Sequence, residues 1–181
     1  MGRKPKQTIL YFNKEIPKHI VYYSILKSEI GDILITANST DLLSVQFLRE
    51  GHSYKTDPDH ENAITKQAKQ ELKEYFAGQR KEFSEYNMQL LSFPGEVMRA
   101  IKTIPYGTTI TYIELAKLVG TYPLIKMTAD ALEQNDYLIM IPSHRIIGSD
   151  KKLHRYQAGI KRKRYLLELE KKYMEQEEKK V

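Results

Sequence analysis

The first half of the chain contains three short stretches in which β-branched and aromatic residues predominate. They cover residues 20–26, 32–36 and 43–47, and this composition predicts β-strands. Residues 38–41, with the sequence Asn-Ser-Thr-Asp, favour a tight turn. We therefore expect a hairpin between the second and third strands.

An amphipathic helix is predicted over residues 61–77. Five of its apolar side chains fall near one face: Ala63, Ala68, Leu72, Tyr75 and Phe76. Gly78 follows directly and favours helix termination, because glycine tolerates the left-handed conformation at that position. Strands followed by a helix predict a small α+β supporting domain over about residues 1–90.

From residue 91 onward the pattern is mostly helical. A helix is predicted over residues 93–103 and ends at the turn sequence Ile-Pro-Tyr-Gly of residues 104–107. Thr111 and Glu114 have the spacing of a capping box and predict the start of a short helix to Val119.

A second helix is expected over residues 124–134, after a glycine-containing turn. Helix, turn and helix together indicate a helix-turn-helix. A short buried strand is predicted over residues 137–141 and a final helix from Lys161. The predicted fold class is α+β, with a helical C-terminal domain over about residues 91–181 that contains the helix-turn-helix.

Composition narrows the range of functions. Of 181 residues, 29 are Lys or Arg and 23 are Asp or Glu, so the formal charge is 29 − 23 = +6, which is compatible with nucleic-acid binding. The absence of cysteine excludes disulfides, zinc–cysteine sites and thiol nucleophiles. The five histidines include no pair at metal-ligand spacing, and no cofactor is expected.

No apolar run approaches the roughly 18 residues of a membrane span, and no apolar segment follows the basic N-terminus. We expect a soluble protein without a membrane partner, located in the cytoplasm, or in the nucleus of a eukaryote.

The most informative motif is Pro142-Ser143-His144-Arg145, flanked by isoleucines. Together with residues 104–107, Tyr112 and the segment 159–167, it closely resembles the O6-alkylguanine-DNA alkyltransferases, also called methylated-DNA–protein-cysteine methyltransferases. The resemblance covers about residues 93–170. It implies that a helix-turn-helix docks in the minor groove of duplex DNA and that the protein flips an alkylated guanine out of the stack. The alkyl group is then transferred irreversibly to a cysteine of the protein.

In this chain Ser143 occupies the position of the acceptor cysteine. Attack at a saturated carbon needs an anionic nucleophile, and a hydroxyl is far less acidic than a thiol. The resemblance implies that His144 would activate the acceptor through a water, supported by Glu170. We therefore predict that Ser143 does not accept alkyl groups at a useful rate.

Other site residues are implied by the same resemblance. Tyr112 would push on the phosphate beside the flipped nucleotide, and Asn135 would join the recognition helix to the active-site strand. Tyr156 would lie near the guanine oxygen, and the backbone carbonyl of Ile146 would receive the guanine amine. Lys126 would take the place of the arginine that fills the vacated stack.

DNA contacts are expected from two segments. The first is the recognition helix, with Lys126, Thr128 and Ala129. The second runs from residue 151 to 164 and has seven basic residues and no acidic one; Lys151, Lys152 and Arg155 are the contacts predicted there. The recognition helix also contains Asp130 and Glu133, and carboxylates repel phosphates.

Several functions remain open. The first is a protein that binds O6-alkylguanine in duplex DNA without transfer, similar to alkyltransferase-like proteins, which hand such lesions to nucleotide excision repair. The second is an active cysteine-bearing alkyltransferase whose acceptor has been changed to serine at position 143 by an introduced, inactivating substitution. The third is an interaction module that has lost DNA binding. A Ser143–His144–Glu170 hydrolase is a fourth, although adjacent residues seldom form a nucleophile–base pair.

Simpler structural roles are also open for individual residues. The motif at Ser143 could be an ordinary loop, and the basic segment a solvated helix start. Tyr112 could be a core tyrosine, Asn135 a helix cap, and Lys126 a solubilising side chain.

Overall fold

A computed structural model describes residues 22–49, 60–120 and 125–179. The first three elements are strands β1 (Tyr22–Leu26), β2 (Ile33–Ala37) and β3 (Leu42–Phe47), which form an antiparallel sheet in the order β1-β2-β3. These strands confirm the sequence prediction to within about a residue at the described ends. Positions 20 and 21 lie outside the described residues.

The predicted hairpin joins β2 to β3, and Asn38 closes it. The Asn38 Oδ1 atom accepts hydrogen bonds from the backbone N–H groups of Thr40, at 2.8 Å, and Asp41, at 2.6 Å. This is the local pairing by which asparagine favours turns.

Helix α1 (Ala63–Phe76) packs on one face of the sheet. Asn62 caps its N-terminus and forms a reciprocal capping box with Thr65. Gly78 has φ = 72°, and a side chain there would collide with the ring of Tyr173, so glycine is required both for the turn and for the close approach of the C-terminal helix.

The second half contains four helices: α2 (Ser92–Lys102), α3 (Tyr112–Val119), α4 (Ile125–Leu132) and α5 (Ile160–Glu178). The predicted capping box at the start of α3 is present, because Thr111 accepts from the Glu114 N–H and the Glu114 carboxylate accepts from the Thr111 N–H. Helix α3 ends at Gly120 with φ = 77°. Helices α3 and α4 pack against each other and against α2, as expected for the helix-turn-helix, and residues 121–124 lie outside the described part.

The predicted strand over residues 137–141 was wrong. The segment forms only isolated bridges, Val45 with Tyr137 and Leu138 with Ile141, and the chain turns back so that the Ile141 N–H donates to the Tyr137 carbonyl at 2.8 Å. Ile139 has φ = 73°, which no regular strand adopts. An apolar run of five residues indicates burial, and here the burial is that of a turn inside the core.

Two short strands form a minimal parallel pair beside residues 142–145, which we call the acceptor loop. Strand β4 (Ile110–Thr111) lies beside strand β5 (Ile146–Ile147), with Ile110 opposite Ile146. This pair connects the start of α3 to the segment that follows Ser143.

Among the described residues, the larger of two hydrophobic clusters runs through both halves of the chain, and a smaller one, of Ile25, Leu34 and Leu48, lies in the sheet-bearing half. The buried side chains of the larger cluster come from the sheet, from α1 and from the helices of the second half, among them Ile35, Tyr75, Ile101, Leu138 and Leu166. The domain boundary near residue 90 stays a prediction. Among the described residues, no helix combines the length and apolar character needed to cross a membrane.

Candidate functional site

The carboxylate of Glu170, on α5, is fully buried and lies at the centre of a hydrogen-bond network. It accepts hydrogen bonds from four residues of three segments: Tyr75 Oη at 2.7 Å, Gly107 N at 3.0 Å, His144 Nε2 at 2.8 Å, and Arg145 through Nε at 3.0 Å and Nη2 at 2.9 Å. Burial raises the pKa of Glu170, but the donors, led by His144 and then Arg145, lower it to about 2. The carboxylate is therefore ionised at neutral pH.

His144 lies beside this carboxylate in the short 3-10 turn Ser143–Arg145 and is fully buried. Because Glu170 can only accept when ionised, His144 Nε2 carries the proton, which leaves Nδ1 as a bare acceptor. Nδ1 has no hydrogen-bond partner among the described residues. Burial is the main reason why the pKa of His144 lies below its usual value, so the ring is neutral at pH 7.

Ser143 is held by Asn135. The Asn135 side chain donates to Ser143 Oγ at 2.9 Å and to the Ile141 carbonyl at 2.9 Å, and its Oδ1 accepts from the Tyr137 N–H at 2.9 Å. Asn135 thus ties the end of the recognition helix to the acceptor loop, which is more than a helix cap does.

Ser143 borders a small cavity of about 40 Å³ and is 6% exposed. The cavity is lined by Tyr112, Ala129, Leu132, Glu133, Ser143, Arg155, Tyr156 and Gln157. The Tyr156 hydroxyl and Gln157 Oε1 are buried and have no hydrogen-bond partner among the described residues. Two polar atoms without partners beside a cavity are free to bind a ligand.

Sequence reasoning placed Tyr112, Ser143 and Tyr156 at this site, and the structure brings all three to the cavity. The Tyr156 ring also lies edge-on to His144, with ring centroids 6.4 Å apart. Ile146 is fully buried, and its carbonyl accepts from Lys163 Nζ. A carbonyl has two lone pairs, so one remains for a further donor.

Sequence reasoning missed the roles of Lys163 and Arg162. Both had been counted in a basic surface run, but both are buried. Lys163 Nζ donates to the carbonyls of Ile146, His154, at 3.1 Å, and Arg155, at 3.4 Å, and burial lowers the pKa of Lys163 to about 8. The sequence contained one signal of this burial: Lys163 and Arg162 lie three and four residues before the buried Leu166, which places all three on one face of the helix.

Arg145 was named only as part of the motif, yet it connects two segments. Besides Glu170, it donates through Nη1 to the Ile104 carbonyl at 2.6 Å, and its guanidinium lies 5.6 Å from the centroid of the Tyr106 ring. The turn that follows α2 is thereby fixed to the acceptor loop.

The residues expected to contact DNA differ in their exposure to solvent. Lys126, on α4, and Lys151 and Lys152, after β5, are exposed. Thr128 departs from the expectation, because its side chain is fully buried among the packed helices. Its neighbour Ala129 is half-buried and lines the cavity.

Arg155 is exposed but already has a partner. Its Nη1 lies 3.1 Å from Glu133 Oε1, so the basic loop and the end of the recognition helix are joined by an ion pair. Among the described residues, no group of three or more His, Asp or Glu side chains could hold a metal ion.

Family models match most of this chain. Residues 92–172 match the DNA-binding domain of 6-O-methylguanine DNA methyltransferase, and residues 21–89 match its ribonuclease-like domain. The chain belongs to the 6-O-methylguanine DNA methyltransferase family.

Relatives in this DNA-repair family include the methylated-DNA–protein-cysteine methyltransferase of Methanosarcina acetivorans, 35% identical over 154 residues, which cover 83% of this chain and 98% of that protein. The Mycobacterium tuberculosis protein of the same name is 33% identical over 156 residues, covering 84% of this chain and 93% of that protein. These names specify a cysteine acceptor, and this family member has no cysteine.

Solved structures of the family share the fold. The crystal structure of Mycobacterium tuberculosis OGT in complex with DNA has a TM-score of 0.74 and 34% identity, covering 84% of this chain and 94% of that one. The Pyrococcus kodakaraensis O6-methylguanine-DNA methyltransferase, at 20% identity and a TM-score of 0.58, shows the fold alone. The α+β fold class predicted for this methyltransferase-family chain is confirmed.

Proposed function

We propose that this protein binds duplex DNA through α3 and α4, accepts a flipped O6-alkylguanine into the cavity beside Ser143, and does not transfer the alkyl group. The observation that carries the proposal is the position of Ser143. Its hydroxyl accepts from Asn135, its neighbour in the chain, His144, is hydrogen-bonded to Glu170, and Ser143 borders the cavity that Tyr112 and Tyr156 line.

The absence of transfer follows from the acidity of the hydroxyl. Alkyl transfer would need the Ser143 proton to move to a base; the basic side chain next to it in the sequence is His144, whose pKa burial has lowered. Asn135 also donates to Ser143 Oγ, which withdraws electron density from the atom that would attack. A thiol in the same place would ionise far more readily.

Lesion binding without transfer is energetically reasonable. Flipping a base costs a few kcal/mol, and a damaged pair costs less than an intact one. The unpartnered Tyr156 hydroxyl would donate to the purine, and the second lone pair of the Ile146 carbonyl would accept from its amine. These bonds would be formed only by an extruded base.

The direct test is a salt titration of binding to two duplexes that differ only in one O6-methylguanine. We expect tighter binding of the lesion duplex and a clear decrease of affinity with salt for both. A second experiment uses DNA with a labelled methyl group, and we expect no stoichiometric label on the protein. Equal affinity for the two duplexes would contradict lesion recognition, and a covalently labelled protein would contradict the absence of transfer.

The second candidate is an active cysteine-bearing methyltransferase whose acceptor has been changed to serine at position 143 by an introduced, inactivating substitution. The intact His144–Glu170 hydrogen bond favours it, because a thiol at residue 143 would find a complete activating network. The Ser143→Cys variant separates the two candidates, since rapid single-turnover transfer to that thiol supports the second. An interaction module without DNA binding is not favoured by the DNA-binding domain match, and absence of binding at low salt would be its signature.

Two further parts of the proposal concern the cell. A protein that binds a lesion without repairing it needs a downstream system, and nucleotide excision repair is the proposed partner. The protein would then work where the DNA is, in the cytoplasm of a prokaryote or the nucleus of a eukaryote. Pull-down from a matched lysate on lesion DNA, with and without the protein, tests the partner.

A further inference from the structure

The cavity beside Ser143 is too small for the ligand proposed for it. Its volume is about 40 Å³, which is room for no more than a few waters. Binding sites for small molecules usually have about 300–1,000 Å³. An alkylated purine can therefore enter only after some of the lining side chains move.

Two lining side chains are the ones most able to move. Arg155 and Glu133 both line the cavity and form an ion pair, from Nη1 to Oε1 at 3.1 Å, and their side chains are 82% and 53% exposed. Other lining side chains are more restrained, because Ser143 is bonded to Asn135 and the Tyr156 hydroxyl is buried.

The backbone on the Arg155 side is fixed while its guanidinium is not. The Arg155 carbonyl accepts from Lys163 Nζ at 3.4 Å and from the Tyr112 hydroxyl at 3.5 Å. The side chain can consequently swing away from Glu133 without displacement of the loop. On the other side, Glu133 directly follows the last residue of α4, Leu132, where the helix has ended.

We propose that the Glu133–Arg155 ion pair is a latch over the lesion cavity and that a DNA phosphate releases it. An Arg guanidinium binds a phosphate through two parallel hydrogen bonds, so a phosphate competes directly with the carboxylate of Glu133. The latch makes the cavity accessible on DNA and restricts it in free solution. It selects a lesion carried in duplex DNA over the free alkylated base, and this selection rests on the proposed function.

Accessibility of the cavity can be measured without DNA. The chain has no cysteine, so Ser143→Cys introduces a single thiol at the cavity wall. Its alkylation by iodoacetamide, a neutral reagent, forms a thioether and releases iodide. A pH profile of the rate yields the rate constant of the thiolate itself, which separates access from any change in the thiol pKa.

The latch is opened by Glu133→Gln in this background, and Asp130→Asn is the matched control. Asp130 is an exposed carboxylate on α4, three residues before Glu133, and does not line the cavity. An exposed ion pair contributes roughly 0.2–1 kcal/mol, so the thiolate rate constant should rise about 1.5- to 5-fold with Glu133→Gln and stay unchanged with Asp130→Asn. Added salt should raise the rate in the Ser143→Cys protein and leave it unchanged once Glu133 is replaced.

Equal rates in Glu133→Gln and Asp130→Asn, or a salt response that survives Glu133→Gln, would overturn the latch. Both substitutions are at exposed positions, and a thermal unfolding curve checks that each variant is folded. Because this experiment contains no DNA, its result is independent of whether the protein recognises a lesion.

A second arm tests release by phosphate. Replacing either partner, by Glu133→Gln or Arg155→Gln, should open the cavity and raise the thiol rate. The affinity for unmodified duplex should change in opposite directions in the two variants. Glu133→Gln should raise it, because the Arg155 guanidinium is freed to bind phosphate, whereas Arg155→Gln should lower it, because that cation is removed. With Ser143 in place, Glu133→Gln should also reduce the preference for lesion duplex over free O6-methylguanine base. An unchanged preference together with a higher thiol rate would refute the proposal that the latch selects lesion duplex over the free base. It would not contradict the proposed binding of the lesion.

Discussion

Replacing Glu170 by Gln removes the charge at the centre of the buried network. The Gln side chain keeps one acceptor oxygen but presents an NH2 group to donors that now point at it, chiefly Arg145 and the Tyr75 hydroxyl. Arg145 becomes a buried cation without a counter-charge. Breaking a buried ion pair on one side costs about 3–5 kcal/mol of folding free energy.

The pKa of Glu170 provides a second route to the magnitude. The ordinary value is 4.5 and the value in the folded protein is about 2, a difference worth about 3 kcal/mol at neutral pH. Because the pKa is lowered on folding, this stabilisation is fully present above pH 4.5 and is lost as the pH falls towards 2. The two routes agree in order of magnitude.

Urea unfolding at pH 7, 5 and 3 measures the effect. We expect Glu170→Gln to lower the free energy of unfolding by about 3–5 kcal/mol at pH 7, and the difference from the parent protein to shrink as the pH falls to 3. At about 2–4 °C for each kcal/mol, the melting temperature should fall by about 6–20 °C.

Glu168→Gln is the matched control, because Glu168 is an exposed acid on the same helix. It should change the free energy of unfolding by no more than about 0.5 kcal/mol. A loss below about 1 kcal/mol for Glu170→Gln, or a difference from the parent that does not change with pH, would refute the argument that the ionised carboxylate holds this network together.

Three further predictions concern single side chains. Lys163→Met should abolish a rise in stability as the pH increases from about 8 towards 10.5. The rise is expected because the pKa of Lys163 is about 8 in the folded protein and higher in the unfolded chain, which therefore binds the extra proton in this range. Urea midpoints at pH 7 and 10 measure the rise, and an unchanged rise in the variant would contradict the prediction. Thr111→Ala should lower the free energy of unfolding by about 0.5–2 kcal/mol through loss of the α3 cap, as followed by thermal unfolding, whereas Thr108→Ala, outside the cap, serves as the control. Tyr156→Phe should leave stability unchanged or raised, because its hydroxyl is buried without a partner, and should lower the preference for lesion duplex about 2- to 10-fold in the binding titration; an unaltered preference would exclude the hydroxyl from recognition.

Local signals in the sequence predicted the parts of the fold that local interactions determine. The capping box at Thr111 and the turn at Asn38 are formed by residues two or three apart, and both are present. The strand prediction for residues 137–141 was wrong because an apolar run indicates only that the segment is buried. A buried turn and a buried strand have the same composition.

The sequence predicted the residues of the candidate site only where they belong to a recognisable motif. The pairing of His144 with Glu170 followed from the family resemblance, and the structure contains that contact. The burial of Lys163 and the ion pair of Arg155 with Glu133 depend on how helices and loops far apart in the chain approach each other. Charge in a sequence indicates solvent exposure on average, which holds for Arg155 and Glu133, whereas tertiary packing buries Lys163.

The hydrogen bond from Tyr75 to Glu170 has a consequence for how such chains can be recombined. The donor belongs to the sheet-bearing half and the acceptor to the half with the acceptor loop, so the hydrogen bonds of this carboxylate span both halves. A chimaera that joins residues 91–181 to the front half of another family member would keep the bonds from Gly107, His144 and Arg145, but it would keep the fourth only if the borrowed helix supplied a hydroxyl at the same place.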